Sequence, residues 1–136
     1  MSTTITQLRL GRAQAVAAGV VGTLAVNLVL WLIGVAAGGS FEEVTDGKIQ
    51  SVAPGGVIIM SVVPMLIGLT AAVLISLKWA PIIRIAQIVG AFLAIATIVM
   101  TVQAHFDGAT TVLLSVMHLV VAAGVVLSLA AVRRDA

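Results

Sequence analysis

Four polar side chains near the end of the chain have the types and the spacing to do chemistry. Asp107, Thr111, Ser115 and His118 fall at i, i+4, i+8 and i+11, so at about 100° per residue they share one helical face within roughly 80° of arc. His118 is the only ionisable side chain well inside an apolar segment, and an intramembrane imidazole could accept a proton, a hydrogen bond or a metal. The same residue types suit hydrolysis. However, Ser115 and His118, three apart on one helix, do not present a nucleophile to its base. His105 and Asp107 as metal ligands lack a third. As a haem ligand His118 would need an axial partner, and His105, near the surface, is badly placed to supply one. No catalytic residue, metal set or cofactor is assigned, and the chain leans away from an enzyme.

The composition says what must position these residues. Of 136 residues, 61% are hydrophobic and 9% charged, against about 25% charged in soluble domains. This is the composition of a membrane protein. A bilayer-crossing helix takes about 20 apolar residues, and four such runs fill the chain, near 13–37, 55–77, 82–104 and 109–132. The expectation is one all-α transmembrane domain over 1–136, a four-helix bundle with no room for a soluble catalytic domain. The first run is too long for the h-region of a signal peptide, so a retained helix is expected. The absence of cysteine excludes thiol relays and thiolate metal sites. The net charge of +2 forms no nucleic-acid patch.

Between the first two runs, residues 38–54 are the only extended polar segment. Asp46-Gly47 supplies the positive φ that a two-residue turn needs, which predicts a short hairpin or ordered loop over the bundle mouth. Arg9, Arg12, Lys78, Arg84, Arg133 and Arg134 all fall on one side of a four-span path, and Lys48 alone on the other. The positive-inside rule then puts both termini in the cytoplasm and the hairpin outside.

In the first helix Thr23, Asn27, Gly34 and Gly38 are expected to share a face. Gly34 and Gly38 form a GxxxG, a motif for packing within the bundle or for a homo-oligomer or larger membrane complex. In the second, Ser61, Pro64, Gly68 and Ala71 share a side. The carbonyl that Pro64 frees must find a partner, so that side is expected to face protein or a hydrated cavity. Counted at 1.5 Å per residue, Asn27, Ser61 with Pro64, Thr97 and His118 each lie about 9–15 Å below the outer end of their helix. This predicts a polar layer in which Asn27 approaches His118, with Ser61 or Thr97 nearby.

Two readings of the layer stand side by side. In one it is glue, hydrogen bonds of about 0.6–2 kcal/mol each that fix helix register. In the other it floors a pocket open to the outer leaflet, with Asp107 at the mouth and His118 at the base. No Asp or Glu lies inside any helix, which argues against a drug–proton exchanger built around a membrane carboxylate.

The fourth segment, with Gly108-Ala109-Thr110-Thr111 at its start and Met117-His118-Leu119-Val120 at its core, resembles a family of small four-helix actinobacterial membrane proteins with no assigned function. The resemblance implies the four-helix architecture and a cell-membrane location, and supplies no activity. The function expected is therefore a non-enzymatic one in a bacterial cytoplasmic membrane, surrounded by lipid: binding of a lipid-like ligand, or an accessory subunit of a larger complex. The alternative is a small transporter or channel subunit using His118 and Asp107.

Overall fold

The computed structural model describes the backbone of residues 2–135 and the side chains of residues 11–132. Four helices run Ser2–Ala36 (α1), Gly55–Ser76 (α2), Ile82–Gln103 (α3) and Gly108–Asp135 (α4), and a hairpin of Glu42–Thr45 (β1) and Lys48–Ser51 (β2) sits between α1 and α2. Four stretches, Gly11–Ala36, Gly55–Ser76, Ile82–Gln103 and Gly108–Val132, are long and apolar enough to cross a membrane. The middle two helices agree with the sequence expectation almost to the residue. The polar start of the chain does not: its backbone is helical from Ser2, because no proline or turn signal precedes the apolar run to stop a helix propagating backward. Arg9, Arg133 and Arg134, used for orientation, lie outside the residues with described side chains.

α1 and α4 form the central pair, with α2 packed mainly on α1 and α3 mainly on α4. The central contact is made by small residues. A Cβ on Gly19 would collide with Ser128, and one on Gly124 with Thr23. A later α1 residue thus meets an earlier α4 residue, so the two helices are antiparallel, at a separation only glycine allows. The terminal methyl of Met65, from α2, lies against both glycines. Large apolar side chains instead face outward: Val21, Ile67, Ile88, Phe92, Met100 and Leu127 are each more than 60% exposed. That inversion is what lipid selects, since it solvates Leu and Ile as well as a core does and leaves close packing to small residues.

Two apolar clusters fill the bundle. Val16, Val20, Met65, Leu69, Ala72, Ile83, Leu129 and Val132 make up the one nearer the termini, and Phe41, Val57 and Met117 the one nearer the hairpin. Buried Thr23, Asn27 and Ser61 lie between them along their helices.

The hairpin pairs Val44 with Ile49 and Thr45 with Lys48. Its turn has φ of 52° at Asp46 and 74° at Gly47, the double positive-φ turn that matches strand twist. Within the 38–54 segment expected over the bundle mouth, Phe41 reaches into the bundle, and the hairpin touches the α3–α4 loop, where Val44 N–H donates to the His105 carbonyl at 3.4 Å. Residues of both hairpin faces stay exposed or half-exposed, and the mouth is closed by Phe41, only 1% exposed.

Candidate functional site

The polar groups in the half of the bundle nearer the hairpin sort into three sets. The first joins α1 to α2: Asn27 Nδ2 donates to Ser61 Oγ at 2.8 Å. Asn27 and Ser61 are 1% and 3% exposed, so the bond is made out of reach of water. The Asn27 Oδ1 is buried without a donor among the described residues. The buried stripe of α2 is Val57, Ser61, Met65, Leu69 and Ala72, steps of four and three that bring Ser61 to α1. Pro64, Gly68 and Ala71 are exposed, and a Cβ on Gly68 would meet nothing. The expectation that Pro64 faces protein is overturned: Met65 lies on the buried stripe, and Pro64, one residue or about 100° away, is turned off it.

The second set is a clamp at the start of α4. Asp107 Oδ1 accepts from the Thr110 backbone N–H at 2.9 Å, which makes Asp107 the helix N-cap. Its Oδ2 accepts from the Ser40 backbone N–H at 2.9 Å, the Ser40 hydroxyl at 2.7 Å and the Thr110 hydroxyl at 2.8 Å. Thr110 Oγ1 in turn accepts from the Phe41 N–H at 3.0 Å, and the Phe41 carbonyl accepts from Val52 N–H at 2.9 Å. These bonds hold Phe41 at a φ of 53°. A non-glycine residue there costs about 1–3 kcal/mol, which the surrounding contacts must offset. Its ring lies over Gly34, where a Cβ would come within 2.6 Å of Cζ. The backbone N–H of Thr110, then the N–H of Ser40, then the two hydroxyls hold the Asp107 carboxyl well below the usual carboxylate range.

Gly34 is therefore covered from within the chain. Gly38 lies past the end of α1 with φ of 92°, so the two glycines present no common helix face. The expected GxxxG surface is absent because the helix stops between them.

The third set is the polar stripe itself. Thr111 Oγ1 donates to the Asp107 carbonyl at 2.9 Å, Ser115 Oγ to the Thr111 carbonyl at 2.7 Å, and His118 Nδ1 lies 2.6 Å from the Leu114 carbonyl. On α3, Thr97 Oγ1 donates to Leu93 O at 2.7 Å and Thr101 Oγ1 to Thr97 O at 3.2 Å. Each side chain bonds a backbone carbonyl four residues back. His118 bonds Leu114 and Asn27 bonds Ser61, where an approach of Asn27 to His118 was expected. By helical rotation it lies about 20° from Val125 and about 120° from Gly124. Val125 is the residue against Gly90 of α3 and Gly124 the one against α1, so His118 belongs to the α3 flank. Seven residues along each helix from that Gly90–Val125 contact, Thr97 and His118 stand at the same level.

The chain matches the model of a family of unknown function, DUF6069, over residues 7–135. It belongs to that family. No curated protein and no solved structure matches it. What this DUF6069 protein offers for function is thus its own geometry. A cleft of about 250 Å³ is lined by Glu43, Thr45, Asp46, Lys48 and Gln50 of the hairpin, and an apolar groove of about 370 Å³ runs along Ile95, Ile98, Val99, Val102 and Gln103 of α3. Neither touches Asn27, Ser61, Pro64 or His118. Reading the sequence alone missed Ser40, Phe41 and Thr110, although an Asp three residues before Thr110 at the start of an apolar run is an N-cap signature. It also missed Gln87, whose Nε2 donates to the Val126 carbonyl at 2.9 Å and ties α3 to α4.

Proposed function

We propose that this protein is a non-enzymatic accessory subunit of an assembly in a bacterial cytoplasmic membrane, with both termini inside and the 42–51 hairpin displayed outside. The observation that carries the reading is the clamp. Asp107 and Thr110 take hydrogen bonds from Ser40 and Phe41, and the His105 carbonyl takes one from Val44 N–H at 3.4 Å, and so they fix a hairpin that still leaves Val44 48% and Ile49 68% exposed. A rigidly held element with exposed apolar side chains is suited to present them to a partner protein. The distribution of Arg12, Lys78 and Arg84 against Lys48 supports the orientation.

The ligand-pocket reading draws less support, since Asn27 bonds Ser61 between two packed clusters and neither cleft reaches that pair. The transporter or channel reading would need a route past Val16, Val20, Leu69, Leu129 and Val132, which fill the half nearer the termini.

Having no native cysteine, the chain allows a direct test. Ile49→Cys in intact cells is expected to react with a membrane-impermeant maleimide, and labelling only after permeabilisation would reverse the orientation. A photoreactive side chain at position 49 is expected to give a discrete adduct with another membrane protein, weakened several-fold by Asp107→Ala. Adducts with lipid alone would end the accessory-subunit reading.

A further inference from the structure

We infer that His118 is an acceptor site inside the membrane for a neutral, apolar molecule carrying a hydroxyl donor, such as a hydroquinone or a long-chain alcohol. His118 is the eleventh residue of the Gly108–Val132 span, about 15 Å from its start, and is half-buried, so one edge of the ring remains reachable. Its Nδ1 faces the Leu114 carbonyl at 2.6 Å. A carbonyl only accepts, so the proton of the neutral ring resides on Nδ1 and Nε2 carries the lone pair. The described hydrogen bonds engage Nδ1 alone.

The neighbouring hydroxyls have no proton left to give. Thr97 donates to Leu93, Thr101 to Thr97, Ser115 to Thr111 and Thr111 to Asp107, all backbone carbonyls, and each hydroxyl holds one proton. An acceptor without a donor in hydrocarbon carries a desolvation cost that a donor would remove. The donor must therefore arrive from outside the α3–α4 pair, and at this depth it must arrive on an apolar body. No Asp or Glu lies in any span, and Arg12 and Arg84 sit near span ends. With no charge at the level of His118, the fitting ligand is neutral. The inference does not rest on the hairpin: the docking experiment and the one below fail independently.

The test uses the full chain with ¹⁵N-labelled histidine in nanodiscs of saturated phosphatidylcholine, one copy per disc. Decylhydroquinone and hexadecanol are titrated separately while the His118 Nε2 resonance is followed, with His105 as the internal control. The expected result is a saturable shift of Nε2 toward the hydrogen-bonded range and no change at His105. Saturation by the hydroquinone alone assigns a phenolic donor, and saturation by both assigns a lipid alcohol. In a ligand-induced thermal-shift titration, His118→Leu is expected to lose at least tenfold in apparent affinity, while His118→Gln, which keeps an acceptor, retains most of it. A shift that grows linearly without saturating, or equal affinity in His118→Leu, would overturn the site. So would a ligand-free resonance that is already hydrogen-bonded at two copies per disc and not at one, because the donor would then be a second chain. The wild-type titration stands even if a variant fails to fold.

Discussion

Ser40 donates its hydroxyl to Asp107 Oδ2 at 2.7 Å across 67 positions of chain, and this bond joins the end of α1 to the start of α4. With the Thr110 cap it makes one carboxylate responsible both for starting a helix and for closing the bundle mouth.

Because the hydrogen bonds hold the Asp107 pKa below its usual value, linkage has a definite sign. The stabilisation is complete above the unfolded carboxylate pKa of about 3.9 and is lost as the pH falls through the lower folded value. Carboxyl NMR in detergent micelles is expected to show Asp107 still ionised at a pH below the ordinary carboxylate value of about 3.9. Asp107→Asn is expected to unfold at a lower temperature near neutral pH and to lose the part of the acid dependence that Asp107 contributes. An Asp107 that titrates at or above that ordinary value would contradict the clamp.

Phe41 plugs the mouth over Gly34, nearly without exposure. Phe41→Ala is expected to cost about 3–5 kcal/mol in a reversible detergent-unfolding assay, the range for emptying a buried aromatic site. A loss below about 1 kcal/mol would mean that the ring is not part of the packed core.

Gly19 and Gly22 differ by one turn and should differ in sign. A Cβ at Gly22 meets nothing, whereas one at Gly19 meets Ser128 Oγ and lies 2.9 Å from Ser128 Cβ. Gly19→Ala is expected to destabilise by about 1–3 kcal/mol through overpacking, and Gly22→Ala to be neutral or favourable by up to about 1 kcal/mol through helix propensity. Ser128→Gly in the Gly19→Ala background is expected to restore much of the loss. Equal effects at the two glycines would refute the close α1–α4 contact.

The bond from Asn27 to Ser61 predicts an energetic coupling. A double-mutant cycle with Asn27→Ala and Ser61→Ala is expected to return about 0.6–1.7 kcal/mol, the range for interhelical hydrogen bonds in membranes. The same cycle between Asn27→Ala and His118→Ala is expected to return a value near zero. Coupling of Asn27 to His118 instead would restore the layer expected from depth alone.

What the sequence by itself determined is what depends on local chemistry. Run lengths set the four spans, since hydrocarbon leaves the backbone no partner but its own helix. Asp46-Gly47 set the turn and the register of the hairpin, because few residues tolerate two successive positive φ values. Depth along each helix was also legible, as rise per residue is fixed, and it placed Asn27, Ser61, Thr97 and His118 at one level. Rotation about each helix axis was not. In a soluble bundle an apolar stripe marks the inward face, but here both faces are apolar, so hydrophobicity does not mark which one packs against protein. The tertiary structure therefore decided that Met65 points inward and Pro64 outward, that Asn27 meets Ser61, and that His118 turns to the α3 flank. It also decided that Phe41 is the residue of the 38–54 segment that closes the bundle. That placement depends on bonds from Asp107 and Thr110, residues far away in sequence, and no local pattern encodes such a contact.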